Sequence, residues 1–298
     1  MKIIVTGSVG NISKPLAREL VQKGHTVTVV SSRTDRQREI EALGAKAAIG
    51  SLEDVDFLTR LFTSADAVYT MVPPGNYLDP TLDLRAYYNR IAHHYAQAIE
   101  QSGVKRIVHL SSVGAHLSEH TGNILCHYDV EQILNQLSDV AITFMRPTSF
   151  YYNLYGYAGM IKTVGYIAAN YGADDVVPWV SPNDIAAAVA DELVTPLAGR
   201  KIRYVASDEL SCNEVARILG KAIGKPDLPW IIISDEQMQS GLESAGLSPL
   251  ISKSLVEMYA SQHTGDLSAD YEQNRPAVMG KVKIVDFASE FAAAYSQN

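Results

Sequence analysis

The sequence has few of the residues that build disulfide frameworks, membrane anchors or nucleic-acid faces. Its 298 residues include two cysteines, Cys126 and Cys212, far apart and without metal-ligand spacing. That excludes a disulfide framework and points to a reducing compartment. No apolar run approaches the about 20 residues of a membrane span. Lys and Arg number 25 against 33 Asp and Glu, and the net charge of −8 argues against a nucleic-acid backbone as partner. A strand pattern starts at once, so no signal peptide is expected and cytoplasm is the expected location. Metal motifs are also missing. His116 and His120 are four apart, but no Glu occupies the zincin position and no third ligand is evident. These two and the His93-His94 pair read as surface histidines, and no metal is expected. No serine, histidine and acid spacing suggests a hydrolase.

What is present is concentrated in residues 1–13. An apolar strand, Lys2 to Val5, runs through Thr6 into Gly7-Ser8-Val9-Gly10-Asn11-Ile12-Ser13, and a helical pattern follows from Lys14. Such a turn presents backbone N–H groups and a positive helix end to a pyrophosphate. Gly7 allows the tight turn, and Gly10 lets the backbone approach the phosphates. Ser13 stands where a third glycine would ease helix–strand packing. The spacing is Gly-x-x-Gly-x-x-Ser rather than Gly-x-Gly-x-x-Gly, so the strand before and the helix after carry the inference.

Apolar runs at residues 2–5, 26–30, 45–49, 67–71, 106–110 and 141–145 alternate with helical patterns at 14–23, 35–43, 55–62, 82–103 and 128–137. Alternation of this kind predicts an α/β fold with a doubly wound parallel sheet, a Rossmann architecture. The rhythm changes after Arg146-Pro147. Residues 148–172 hold Tyr151, Tyr152, Tyr155, Tyr157, Tyr166 and Tyr171. Strands are expected at 176–180, 201–205 and 230–233, with helices at 182–194 and 212–223. The expected division is residues 1–150 as a dinucleotide-binding Rossmann domain and 151–298 as a smaller α+β substrate lobe, some segments returning to the sheet.

The second strand pattern ends Val29-Val30-Ser31-Ser32-Arg33, with no acid before Asp35 to bond ribose hydroxyls. Arg33 can grip a 2′-phosphate as a planar fork, which favours NADP (as NADPH) over NAD. A solvated basic turn is the plainer reading. Ser111 and Ser112 end the fifth strand pattern, where ligand contacts and simple turn bonding both occur. Tyr151, Tyr152 and Tyr155 are candidates for a wall that stacks on a flat ring. Core packing is the alternative, and Trp179 is open to the same two readings.

Four segments together resemble the NmrA-like branch of the atypical short-chain dehydrogenases/reductases. They are the turn from Thr6 to Ile12, the basic Arg33, Leu110-Ser111-Ser112-Val113-Gly114, and the run from Met145 through Pro147 to Leu154. Val180-Ser181-Pro182-Asn183-Asp184-Ile185-Ala186 adds a fifth. The resemblance implies that Thr6, Met71, Pro73 and Pro147 also lie along the cofactor. Ser51 stands where relatives often carry an acid near the adenine.

Ordinary members pair a tyrosine with a lysine four residues later, and this pair is missing. Tyr128 is followed at that distance by Gln132. Aligning instead on Glu131 and Leu134 puts His127 in the lysine position and Asn123 in the tyrosine position. His127 could then touch the nicotinamide ribose and, with an ordinary pKa, pass a proton; a capping histidine is the alternative. The resemblance implies an NADPH-dependent reductase passing hydride to a flat, electron-poor small molecule such as a quinone, with His127, Tyr151 and Tyr152 at the reacting end. The rival is a redox sensor that binds the nucleotide without catalysis. A sugar-nucleotide epimerase is disfavoured by the missing pair. The sequence is compatible with a homodimer but does not fix the oligomeric state, nor whether residues 75–83 act as a lid.

Overall fold

The apolar runs become parallel strands because helices cover both of their faces. The computed structural model describes residues 1–196 and 198–297. Its strands are β1 (Lys2–Val5), β2 (Thr26–Ser31), β3 (Lys46–Ile49), β4 (Ala67–Thr70), β5 (Arg106–Leu110) and β6 (Ala141–Pro147). They continue with β7 (Ser149–Phe150), β8 (Ile167–Ala169), β9 (Val176–Val180), β10 (Arg200–Val205), β11 (Asp208–Ser211) and β12 (Trp230–Ile232). The helices begin with α1 (Ser13–Gln22), α2 (Gln37–Ala42), α3 (Val55–Phe62), α4 (Leu84–Ser102), α5 (Leu125–Asn135) and α6 (Ala158–Thr163). After them come α7 (Pro182–Val194), α8 (Cys212–Ala222), α9 (Asp235–Ser244), α10 (Pro249–Thr264), α11 (Ala269–Gln273) and α12 (Ile284–Gln297). No helix among the described residues is long and apolar enough to cross a membrane.

Seven strands form one parallel sheet in the order β10-β6-β5-β4-β1-β2-β3. The strand order reverses between β1 and β4, parallel neighbours with Ile3 opposite Ala67, β2 and β3 lying to one side and β5 and β6 to the other. A crevice at the carboxyl ends of such a pair is where open α/β sheets take ligands. Leu16 and Leu20 of α1 pack one face beside Ile185 and Val189 of α7. Ile91, Tyr95 and Ile99 of α4 cover the other beside Val130 and Leu134 of α5. Asp83 caps the start of α4 by accepting from Ala86 N–H, and Gly103 at φ +71 ends it.

The second lobe has its own core, with Trp179, Leu219, Trp230 and Phe291 among its buried residues. Two small sheets belong to it, β11-β9-β7 and β12-β8. Strand β10 and helix α7 are exceptions, since β10 pairs with β6 and α7 packs on α1. The tyrosine-rich run is a 3₁₀ helix, Tyr151–Tyr157, that leads into α6.

One helix differs usefully from its sequence pattern. Helix α5 starts at Leu125 rather than residue 128, directly after a 3₁₀ turn, Gly122–Ile124. No side chain caps it, so the usual polar start signal is missing. Gly122 sits at φ +53, and a Cβ there would lie 1.8 Å from the Ser254 carbonyl oxygen. Only glycine lets α10 of the second lobe rest directly on this turn.

Candidate active site

At the end of β1 the chain turns through Gly7, at φ +88. The Ser13 hydroxyl donates to the Thr6 carbonyl at 2.8 Å, tying the start of α1 to the end of β1. A Cβ on Gly7 would come within 2.6 Å of that hydroxyl oxygen. Ser13 therefore performs by hydrogen bonding the tight helix–strand approach expected of a third glycine. Lys14 N–H donates to the Gly10 carbonyl, winding the turn straight into the helix. Helix α1 has no side-chain cap and no acid in its first turn, so nothing neutralises its positive end. Gly7, Ser8, Gly10, Asn11 and Ile12 all line one cleft of about 820 Å³. This cradle suits a pyrophosphate held by backbone N–H groups.

Thr6 is placed differently from the expectation. It is fully buried and does not line the cleft; its hydroxyl accepts from Met71 N–H at 3.1 Å. The Tyr95 hydroxyl donates to the Met71 carbonyl at 2.8 Å. These two bonds hold Met71 and Pro73 against the cleft, which both line. Pro147 is likewise buried behind the wall, where its carbonyl accepts from Val113 N–H at 2.9 Å. Thr148, Ser149 and Phe150 line the cleft instead.

At the end of β2, Ser31 and Ser32 line the cleft but Arg33 does not. Its side chain is 63% exposed and forked onto Asp35, with Nε–Oδ1 at 3.0 Å. The guanidinium thus lies at the rim with its donors engaged by a carboxylate. Ser51 is also exposed; its hydroxyl oxygen accepts from Glu53 N–H.

A buried polar network braces the middle of the cleft. The Ser111 hydroxyl donates to Glu131 Oε1 at 2.5 Å. Arg146 grips the same carboxylate with both prongs, at 3.0 and 2.7 Å, and both side chains are 4% exposed. Its Nη1 reaches Asp270 at 3.1 Å and the Tyr204 hydroxyl at 3.2 Å. Ser111 lines the cleft, so a buried ion pair orients a cleft hydroxyl.

His127 lines the cleft beside Ser111, with its ring edge-on to Tyr88 at 5.4 Å between centroids. Burial pulls its pKa down to about 4. At neutral pH it is an uncharged imidazole, not the ready proton source of an ordinary histidine. Deeper in the sheet, burial takes His109 down to about 3, with its Nδ1 2.9 Å from the Thr70 hydroxyl. The unfolded chain takes up both protons below pH 6.5, whereas the folded protein resists until about 4 and about 3. Stability therefore falls as pH drops from 6.5 towards 4, on the order of 3 kcal/mol from each histidine. Thermal melts at pH 7, 6, 5 and 4 should show this decline, and His109→Leu should flatten it while lowering the melting temperature at pH 7. An unchanged slope in that variant would exclude His109 as a source.

Beyond His127 the cleft becomes aromatic. Tyr77, Tyr88, Tyr152, Tyr157, Tyr171 and Tyr259 line it with Trp179. Burial pushes the Tyr152 and Tyr259 phenols up to about 12, so both remain protonated at neutral pH. Tyr151 is not on this wall. It is 1% exposed, its hydroxyl donates to Asp208 at 2.6 Å, and its ring stacks on Phe287. Tyr155 also faces inward, stacked on Phe291. The 3₁₀ geometry sends Tyr152 to the cleft and its two neighbours in the pattern to the core. Tyr77, Tyr88 and Tyr259 carry no motif; their only sequence signal is an aromatic in a turn or helix. No Asp, Glu, Lys or Arg lines the cleft among the described residues. Nor do those residues contain a cluster of three or more His, Cys, Asp or Glu able to hold a metal ion.

The same arrangement of elements occurs in known proteins. A structure of triphenylmethane reductase from Citrobacter sp. matches with a TM-score of 0.79 at 19% identity, covering 97% of this chain and 100% of that one. An NADPH-dependent quinone oxidoreductase from Escherichia coli, complexed with NADPH, matches with a TM-score of 0.79 at 17% identity, covering 97% and 99%. In sequence, an NAD(P)H azoreductase of Xenophilus azovorans is 26% identical over 296 residues, 98% of this chain and 99% of that protein. The model of the NmrA-like family matches residues 1–267, and with the doubly wound sheet and glycine turn described above, the chain belongs to the NmrA-like family.

Proposed function

We propose that this protein is an NADPH-dependent reductase that passes hydride to a flat, neutral, electron-poor small molecule such as a quinone. The carrying observation is the cleft itself, continuous from the phosphate turn to the tyrosines and free of charged side chains. Its volume of about 820 Å³ is that of a site for a cofactor with a small partner. Backbone and helix end hold the diphosphate without a lysine or arginine inside the cleft. The aromatic end offers stacking faces and phenol hydroxyls, which suit a flat neutral ring. Related proteins named as an azoreductase, a triphenylmethane reductase and a quinone oxidoreductase support the class.

Bound NADPH supplies the hydride. The chain's residues orient and enclose. Met71 and Pro73, held by Thr6 and Tyr95, form one side of the cofactor channel, and Ser111 and His127 form another. Phe150 and Tyr152 stand where the ring to be reduced would lie, with the other tyrosines of the wall around them. A quinone needs little proton donation during hydride transfer because its ring delocalises the charge. That suits a site whose histidine is neutral. A sensor would need the phosphate turn but not the open space beside Pro73 and His127, and this opening favours the reductase.

The decisive test is NADPH oxidation with a panel of quinones, azo dyes and triphenylmethane dyes, alongside direct nucleotide binding. Turnover with any of them supports the reading. Tight NADPH binding with no turnover across the panel would shift it to the sensor.

Arg33 and Asp35 give a further expected result. Swinging the guanidinium from Asp35 to the 2′-phosphate keeps its fork occupied, whereas NADH offers no such exchange. Arg33→Ala should weaken NADPH by about tenfold or more and leave NADH nearly unchanged. Asp35→Asn should strengthen NADPH severalfold by freeing the fork. Equal losses for both nucleotides in Arg33→Ala would remove Arg33 from the 2′-phosphate site.

A further inference from the structure

Reduction of a quinone creates a negatively charged oxygen, and the site lacks the tyrosine that ordinary short-chain dehydrogenases place beside it. We propose that Asn123 and Tyr77 form the hydrogen-bond donor site for that oxygen; the proposal rests on the reductase reading above. Asn123 lines the cleft, is 8% exposed, and its Nδ2 is buried with no hydrogen-bond partner. Such an orphaned buried amide is unfavourable unless a ligand satisfies it. Its place is fixed from below and above. Ile124 N–H donates to the Thr121 carbonyl within the 3₁₀ turn, and α10 presses on Gly122 next to it.

Tyr77 reaches the same end of the cleft from a different element. It follows the stiff Pro73-Pro74-Gly75 segment and packs with the core cluster that includes Leu84 and Tyr88. Asp79 N–H donates to the Asn76 carbonyl at 2.9 Å and Leu82 N–H to the Asp79 carbonyl at 3.2 Å, so its loop is an ordered turn. Burial raises the Tyr77 phenol, so the hydroxyl keeps its proton at neutral pH. The Asn123 amide carries two N–H groups, and with no partner in the protein both are available to a ligand oxygen. Two other polar groups of the cleft are less suited. Ser111 gives its proton to Glu131, and His127 is neutral.

The chemistry balances without a protein acid. A quinone that takes hydride, two electrons and one proton, from NADPH becomes a hydroquinone monoanion, and the nicotinamide is oxidised. The C–H bond on the nicotinamide breaks as a bond to hydrogen forms on the quinone. Water supplies the second proton. Asn123 and Tyr77 stabilise the anion and emerge unchanged, as oxyanion-hole donors do.

The test uses Asn123→Ala and Tyr77→Phe, checked for unchanged melting temperature and NADPH affinity. The first readout is kcat with the best quinone. The second is independent of turnover: 4-nitrophenolate absorbance in the NADP⁺-loaded protein, which reports the pKa of the bound phenol. Asn123→Ala is expected to lower kcat by on the order of a hundredfold and Tyr77→Phe by about tenfold. Each should weaken nitrophenolate binding and raise the bound phenol's pKa. Wild-type kcat and phenolate affinity in both variants, with the wild type turning over, would overturn the donor site alone. Donor-dependent phenolate binding in a wild type that reduces no quinone or dye would overturn the reductase reading alone.

Discussion

Valine in place of Gly10 removes binding of NADPH and NADH alike, weakening each by on the order of a hundredfold, about 2.7 kcal/mol. The backbone at Gly10 is ordinary, and the nearest atom to a Cβ there is the Gly7 carbonyl oxygen at 3.1 Å. That contact is tight but is the only one within 4 Å, so the rest of a larger side chain has the cleft that Gly10 lines as its open space. The loss should appear in nucleotide titrations with the melting temperature of the unliganded protein nearly unchanged. Gly7→Val is the instructive contrast. At φ +88, with the Ser13 hydroxyl 2.6 Å from the new Cβ, it should lower the melting temperature as well. Retained affinity in Gly10→Val would place the phosphates elsewhere.

Arg146→Met is expected to cost about 3–5 kcal/mol of stability. The arginine is 4% exposed and holds Glu131, Asp270 and the Tyr204 hydroxyl together. Removing it leaves the Glu131 carboxylate buried against Ser111 alone. For a chain of this size that is a drop on the order of 10 °C in melting temperature. Asp270 is 29% exposed and can turn to water, so most of the cost comes from Glu131. The double variant Arg146→Met/Glu131→Leu should therefore recover part of the loss, since an apolar pair in the same volume leaves no orphaned charge. A double variant as unstable as the sum of its parts would show that the two residues do not act as a pair. Ser111 loses its partner in the double variant, so any activity it retains would show whether the orientation of that hydroxyl matters.

Much of the cofactor half was legible because its signals are local. The runs at residues 2–5, 55–62 and 106–110 match β1, α3 and β5 residue for residue. Gly7, Ser8, Gly10, Asn11 and Ile12 lie together because a turn of seven residues determines its own geometry. Misplacements occur where orientation depends on distant partners. Thr6 and Pro147 sit inside the right segments, yet each faces away from the cleft into bonds with another strand or loop. Arg33 follows the right strand, but a salt bridge two residues on holds it at the rim. Tyr151 is taken from the wall by Asp208 and Phe287, which lie 57 and 136 positions further along the chain.

Local pattern alone carried the doubly wound sheet, the glycine turn after β1 and the absence of the tyrosine–lysine pair. Periodicity, glycine placement and four-residue spacing are properties of neighbours in the chain, and they need no tertiary context. Only the folded chain decided which tyrosines face the cleft, that His127 is uncharged, and that Ser111 is braced by a buried arginine. It also decided that Asn123 carries an unpartnered amide beside Tyr77. Each of these depends on desolvation or on contact between the two lobes, and a contact between α10 and the turn at Gly122 has no counterpart in local sequence. Burial sets the charge of a histidine, and burial exists only in the folded chain.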